Sequence, residues 1–156
     1  MSGLEGVLPS LILRALEEEA RRRGSTPEAV LVGMLSRLLP EERRWEAFLE
    51  AARAALQHAS RLASAGAYRE AFRRLWGCVL LAVAAEALRR GIGEPGSLDE
   101  YWEAVDRLGG SAYTAWYAGL AAFVAGEKGV ESRGHLEAMR KIIEGYVSGI
   151  GEGGEE

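Results

Sequence analysis

Apolar residues recur every three or four positions along most of this chain, which is the period of an amphipathic α-helix. The clearest stretch covers residues 45–90, where two such patterns are separated by a short break at residues 65–67. This stretch predicts a long helical hairpin. From residue 75 to residue 85 its second arm is apolar on every side, so we expect that arm to be a central helix enclosed by the others.

Proline and hydroxyl residues begin the predicted helices, and glycine or proline follows their ends. Ser97 and Ser111 are the expected N-caps of the fifth and sixth helices, and Thr26-Pro27 begins the second. Acidic residues after Pro40 lie in the first turn of the third helix, where the helix dipole favours them. The predicted helices cover residues 10–23, 27–39, 41–64, 68–90, 98–108, 111–125 and 132–147.

The predicted fold class is all-α, because no segment shows the sustained period-two alternation of a strand. We expect an up-and-down helical bundle with a four-helix core, an N-terminal helix pair and extra short helices. The pair covers residues 1–40 and packs on the core, which covers residues 41–147. The Gly/Glu-rich residues 148–156 are expected to be a disordered tail.

Composition excludes several classes of function. The chain has 156 residues and a formal net charge of −4, so it has no overall positive field that would attract nucleic acid. Its longest uncharged apolar run, residues 75–85, is far shorter than the roughly 20 residues of a membrane helix. The N-terminus lacks the pattern of a signal peptide, and Cys78 is the only cysteine. These features predict a cytoplasmic protein with no membrane partner.

Residue usage also suggests a hot habitat. The chain has no asparagine, one glutamine, and 17 arginines against two lysines. Few heat-labile amides and many Glu and Arg residues are typical of thermophilic proteins. The alternative is a GC-rich genome, which favours Arg, Ala and Gly codons at any temperature.

One charged stripe is dense enough to be a candidate binding site. Arg69, Arg73 and Arg74 lie near the start of the fourth helix, with Glu70 between them. The functional interpretation is a contact for an anion or a nucleic acid, strengthened by stacking on Tyr68 or Trp76. The alternative is a solvated helix face with Glu/Arg pairs.

Other reactive residues favour structural roles. His58 and His135 have no helical partner at metal-ligand spacing, so we predict no metal, cofactor or catalytic residue. His58 is expected to be partly exposed, and Cys78, within the apolar run, is expected to be a small core residue. Glu86 enters an apolar helix and needs a partner, which Arg89 or Arg90 can supply.

The N-terminus permits a different arrangement. Residues 4–8 followed by two short helices have the layout of a ribbon-helix-helix protein, which dimerises through its strand and reads DNA with it. Here the strand would offer Leu4, Glu5, Gly6 and Val7, none of which supplies a base-reading donor. A dimerisation arm remains open on this pattern, whereas DNA readout is disfavoured.

Taken over residues 9–147, the chain resembles the archaeal PaREP family of helical proteins. The resemblance rests on the helix pair around residues 23–28, the alanine-rich third helix, the break at 65–67, the stretch 72–77 and the short helix 98–108. That family looks like a relative of the HEPN (higher eukaryote and prokaryote nucleotide-binding) four-helix bundles. Some HEPN proteins cleave RNA through an Arg-x4–6-His motif at a dimer interface, and others are inert partners.

The resemblance implies a chain without ribonuclease activity. PaREP-like chains often carry a His-Asn-Phe-Tyr-like string where this chain has residues 120–124, which contain neither His nor Asn. Arg133-Gly134-His135 has the residue types of the HEPN motif at the wrong spacing. General acid–base cleavage would need His and Arg jointly at the scissile phosphate.

The function implied is therefore a non-enzymatic interaction or nucleotide-binding module, acting as a homodimer, with a protein or a nucleotide as a further partner. The alternative is a degenerate HEPN-type RNA-processing or RNA-binding protein. Aromatic residues on the fifth and sixth helices are expected to be exposed and to contribute to an interface. They are Tyr101, Trp102, Tyr113 and Tyr117.

Overall fold

The computed structural model describes residues 6–152, and within that range the chain forms α-helices, two 3₁₀ turns and no strand. The α-helices are α1 (Ser10–Arg23), α2 (Pro27–Leu35), α3 (Arg44–Ser64), α4 (Tyr68–Arg89), α5 (Leu98–Leu108), α6 (Gly110–Lys128) and α7 (Arg133–Gly149). The 3₁₀ turns Ser36–Leu38 and Glu41–Arg43 connect α2 to α3. The all-α prediction is confirmed.

Helices α3, α4, α6 and α7 form the core of the bundle, in up-down-up-down order. The Cys78 thiol of α4 meets the Ala52 carbonyl of α3, which fits an antiparallel hairpin closed by the 65–67 turn. Along α4, Phe72 packs on His135 near the start of α7, and Glu86 bonds Tyr146 near its end, so α4 and α7 run parallel.

Helix α4 is the central helix, as predicted. Every residue from 75 to 87 is buried, because α3, α5, α6 and α7 all pack against it. Its continuous apolar character therefore reflects enclosure by the bundle. No helix in the described range is long and apolar enough to cross a membrane.

An aromatic cluster joins α5 to α4 and α6. The Trp116 side chain is fully buried, and its ring lies 5.1 Å from Trp76, 5.4 Å from Trp102 and 5.8 Å from Tyr101. The expectation that Tyr101 is exposed is wrong, because the apolar face of α5 turns this residue onto Trp116 and leaves it 4% exposed. Tyr117, by contrast, is 54% exposed.

The N-terminal helices form an antiparallel pair with a small core of its own. Gly24 ends α1 in the left-handed conformation, with φ of 67°, and the Thr26 side chain caps α2. Leu16 and Ala20 of α1 pack with Val30 of α2. Helix α1 packs mainly on α2, and α2 packs on α3 and α4.

Three expectations about local structure need correction. The second helix ends at Leu35 and continues as a 3₁₀ turn, because the Ser36 hydroxyl bonds the carbonyl of Gly33. Gly109 is the N-cap of α6 in place of Ser111, and its φ of 64° with ψ of −167° is a conformation that favours glycine. Residues 6–8 form a turn and a bend where a strand was suggested, and residues 4 and 5 lie outside the described range.

The predicted disordered tail is wrong for residues 148–152. Helix α7 continues to Gly149, and the next residue, Ile150, is 3% exposed within the main core. Gly151 lies against the Trp45 ring of α3. One isoleucine thus anchors a segment whose glycine and glutamate content suggested disorder. Residues 153–156 lie outside the described range.

Candidate functional site: the arginine segment and two grooves

The arginines of α4 point in two directions, so they do not form one continuous stripe. Arg73 pairs with Glu127 of α6 across 3.5 Å, and the Arg69 guanidinium lies beside Gly129 at the C-terminal end of α6. That end carries the negative pole of the helix dipole, which favours cations. Arg74 turns instead toward α2 and pairs with Glu28 across 3.3 Å. The three arginines therefore contact different elements, although Arg73 and Arg74 both line the groove described below.

The aromatic residues proposed to support stacking are engaged in packing. Trp76 is 8% exposed, and its ring lies 5.1 Å from Trp116 and 5.9 Å from Phe123. Tyr68 is partly buried against the main core. Both rings therefore take part in core packing, which leaves less of them for stacking on an unpaired base.

One groove lies between the α1–α2 turn, α4 and α6, with a volume of about 390 Å³. Trp76, Gly77 and Phe123 line its apolar part. Carboxylates outnumber guanidinium groups along it by four to two, so it does not attract a polyanion. The charged lining consists of Glu17, Glu28, Glu70, Glu127, Arg73 and Arg74.

A second groove, which we call the α2–α3 groove, lies between α2, α3 and α4. Its volume is about 370 Å³. Most of its lining is apolar, and its polar residues are His58, Arg61, Arg74 and Glu28. The apolar lining consists of Leu31, Val32, Ala51, Ala54, Ala55 and Leu81. This groove brings Arg74 together with His58 and Arg61, which the sequence had not grouped with it.

His58 is half-buried in the α2–α3 groove, as expected of a partly exposed residue. Burial lowers its pKa, and the neighbouring charges of Arg74 and Arg61 lower it further, whereas Glu70 acts in the opposite direction. The two guanidinium groups thus disfavour a positive charge on this imidazole, and an anion beside it would act in the opposite direction.

The two histidines lie in different parts of the bundle. His135 is an exposed residue in the first turn of α7, where its ring lies 5.8 Å from that of Phe72. Its backbone N–H is capped by the Ser132 hydroxyl at 3.1 Å. His135 therefore contributes to the packing of α7 on α4, on a different part of the bundle from the groove that holds His58.

Arg53 and His58 on α3 have an Arg-x4-His spacing, in addition to the string Arg133-Gly134-His135. This spacing is visible in the sequence itself. Five residues along an α-helix correspond to a rotation of about 140°, so the two side chains diverge. Arg53 lines a separate groove with Glu50 and Ile150, whereas His58 faces α2. A single chain does not bring this pair together.

Glu86 has the partners that its position requires. Arg90 donates to its Oε2 atom across 3.2 Å, and the Arg89 guanidinium lies 3.9 Å from the same oxygen. The Tyr146 hydroxyl, which the sequence did not indicate, donates to Oε1 across 2.6 Å. Burial and the carboxylate of Glu86 raise the pKa of Tyr146, so its hydroxyl stays protonated. This cluster is structural.

Cys78 is a buried core residue, as predicted, and we expect it to be unreactive in the folded protein. Burial raises the pKa of its thiol to about 12, and the thiol donates to the Ala52 carbonyl across 3.2 Å. At neutral pH the native protein should therefore not react with a coloured, water-soluble disulfide reagent. The denatured protein should react with one equivalent of it, measured as the chromophore released from the reagent. Fast reaction of the native thiol would contradict this placement.

The described residues hold no group of three or more His, Cys, Asp or Glu side chains that could bind a metal ion. The α2–α3 groove combines a mostly apolar cavity with three basic side chains and a single carboxylate, so it is the stronger candidate site of the two grooves. Comparison of the chain with protein-family models, with curated protein sequences and with solved structures finds no match in any of the three.

Proposed function

We propose that the protein is a non-enzymatic helical bundle, PaREP-like and HEPN-like in build, that acts as an interaction module and forms a homodimer. The observation that carries this proposal is an exposed apolar surface on the N-terminal helix pair. Seven of the twelve exposed large apolar residues in the described range lie there. We call them the N-terminal apolar surface: Val7, Leu11, Ile12, Met34, Leu35, Leu38 and Leu39.

Because α1 and α2 are antiparallel, the start of α1 and the end of α2, which carry these exposed residues, lie at the same end of the helix pair. Leu16 and Ala20 pack with Val30 across the turn at Gly24, so residues equally far from the turn are neighbours. The start of α1 therefore lies beside the end of α2. Leu11 is 74% exposed and Leu38 is 84% exposed, which is unusual for leucines in a cluster.

The charge distribution supports an interface in this region. Between residues 6 and 16 the only charged residue is Arg14, and between residues 29 and 39 the only one is Arg37. Depletion of charge at the centre of a patch is typical of protein–protein interfaces. Acidic residues border the same surface at 17–19 and 41–42, so its rim carries both signs.

A second copy of the chain is the partner that this surface fits best. In a two-fold dimer the same patch is used on both protomers, so each exposed leucine is covered by an equivalent surface. Helix α1 has its main contact with α2, which leaves its other side available. A rim with both arginine and glutamate allows complementary pairs across a two-fold axis.

The test is the mass in solution. Size-exclusion chromatography with light scattering should give a dimer at micromolar concentration. The double variant Leu11→Glu with Leu38→Glu should run as a monomer with unchanged helix content, because four carboxylates would then be desolvated in the dimer. Ile142→Glu is the matched control, since Ile142 is an exposed apolar residue on α7, and it should remain dimeric. A wild-type monomer would contradict the proposal.

The alternative, a degenerate HEPN-type RNA-processing or RNA-binding protein, has less support. Cleavage needs His and Arg jointly at the phosphate, and Arg53 and His58 face different grooves. RNA binding needs a positive surface, and the groove beside Arg73 carries more carboxylates than arginines. A cytoplasmic location and a thermophilic, archaeal source belong to the proposal and rest on composition and family resemblance.

A further inference from the structure

The α2–α3 groove exists because α3 presents small side chains where α2 crosses it. Ala51, Ala54 and Ala55 line one wall, and Leu31 and Val32 of α2 line the other. Leucine-sized residues at the alanine positions would fill the space by ordinary packing. The groove volume of about 370 Å³ lies within the range of small-molecule sites.

The polar residues gather at one part of the lining. His58 and Arg61 are three residues apart on α3, so they share a helix face, and Arg74 reaches the same groove from α4. The one carboxylate in the lining, Glu28, pairs with Arg74 across 3.3 Å. Two guanidinium groups and one carboxylate leave the lining with a net positive charge even when His58 is neutral.

Charged groups on two helices surround His58 and affect its protonation. The charges of Arg61 on the same helix and of Arg74 and Glu70 on α4 act on its imidazole. Glu28 lines the same groove from α2. Burial and the two arginines lower the pKa of His58. An anion placed beside them would stabilise the imidazolium and raise that pKa, so binding and protonation would be coupled.

We propose that the α2–α3 groove binds a small amphiphilic anion. The carboxylate or phosphate head lies at His58 and Arg61, and the apolar body lies along Leu31, Val32 and the alanine wall. A purely inorganic anion would leave the apolar walls uncovered, and a neutral hydrocarbon would place no negative charge beside His58 and Arg61. The proposal concerns a ligand site on the bundle and does not depend on the dimer.

The test uses the full chain and reads both histidines by NMR, with His135 as the internal control. Octyl phosphate at about 5 mM, enough to populate a site of millimolar affinity, should raise the pKa of His58 and leave that of His135 unchanged. Inorganic phosphate, octanol and octylamine at the same concentration should give little or no shift. If octanol or inorganic phosphate shifted the pKa of His58 as much as octyl phosphate does, the proposal that the groove binds both a charged head and an apolar body would be wrong. If adenosine monophosphate shifted it at a lower concentration than octyl phosphate, the groove would be a nucleotide site instead.

Three variants distinguish the groove from general surface binding. Arg61→Ala removes an exposed head contact and should weaken octyl phosphate binding about tenfold. Ala54→Leu starts from an exposed alanine and should abolish binding by filling the groove without changing its charge. Arg53→Ala removes an equal charge from the same helix on another face and should leave the affinity unchanged. Equal losses in Arg53→Ala and Arg61→Ala would overturn the proposal.

Discussion

Arg44→Ala is expected to lower the free energy of unfolding by about 3–5 kcal/mol, which is the cost of removing one member of a buried ion pair. Arg44 is 6% exposed at the start of α3. Its guanidinium donates to the Ser36 hydroxyl across 3.0 Å, to the Gly33 carbonyl across 3.2 Å and to the Glu94 carboxylate. One side chain thereby ties the end of α2 and the loop before α5 to the central bundle.

The large cost arises because the Glu94 carboxylate would lose its closest cation. The Glu94 side chain is 18% exposed, so water compensates only in part, and Arg37 approaches it no closer than 4.0 Å. Replacing Glu94 with Gln in the Arg44→Ala variant removes the carboxylate charge that has lost its partner. The double variant Arg44→Ala with Glu94→Gln should therefore be more stable than Arg44→Ala alone.

The measurement is chemical unfolding followed by circular dichroism, with Arg43→Ala as the neighbouring control. Arg43 is exposed and pairs with Glu46 on the surface at 2.9 Å, a type of contact that contributes little to stability. We expect its unfolding curve to overlay that of the unchanged protein. Similar curves for Arg43→Ala and Arg44→Ala would contradict a stabilising role for the buried network.

The helices could be predicted from the sequence because their signals are local. Apolar periodicity and the Thr26 and Ser97 caps lie within a few residues of the structure they specify. Both caps are present, with the side-chain oxygens accepting backbone N–H bonds at 3.2 Å. The central position of α4 follows in the same way, because a helix that is apolar on all sides must be enclosed.

Other features depend on which distant residues meet, and the sequence does not state that. Arg44 and Glu94 are separated by 50 positions, and neither carries a local signal of the pairing. Ile150 is one apolar residue in a polar tail, and only its fit against α3 and α7 shows that it belongs to the core. Tyr101 was expected to be exposed, and the position of Trp116 buries it.

The candidate site was predictable in part. Successive helix residues are rotated by about 100°, so the divergence of Arg73 from Arg74 follows from helix geometry alone. The shared face of His58 and Arg61 follows from the same rule. Their meeting with Arg74 and with the α2 wall required the packing of three helices, so the α2–α3 groove could not be found from the sequence.

Gly119→Ala is the second large expected effect: a loss of about 1–2 kcal/mol in unfolding free energy. A Cβ at Gly119 of α6 would lie 2.9 Å from Val79 Cγ2, 3.0 Å from Val79 Cβ and 3.2 Å from the Trp76 ring. Overpacking of this kind lowers the free energy of unfolding by about 1–3 kcal/mol. The better helix propensity of alanine offsets up to about 1 kcal/mol of that loss. Valine is stiff at χ1 and buried here, so it cannot move aside cheaply.

Gly145→Ala makes the same chemical change where nothing opposes it. Gly145 lies within α7, is exposed, and has no atom within 4 Å of an added Cβ. Its replacement should stabilise the protein by about 0.5–1 kcal/mol through lower backbone entropy in the unfolded chain. Urea unfolding of both variants, at unchanged m-value, checks the pair. A shift of the same sign in both would contradict the close approach of α4 and α6 at Gly119, whereas opposite signs would show that this crossing requires glycine.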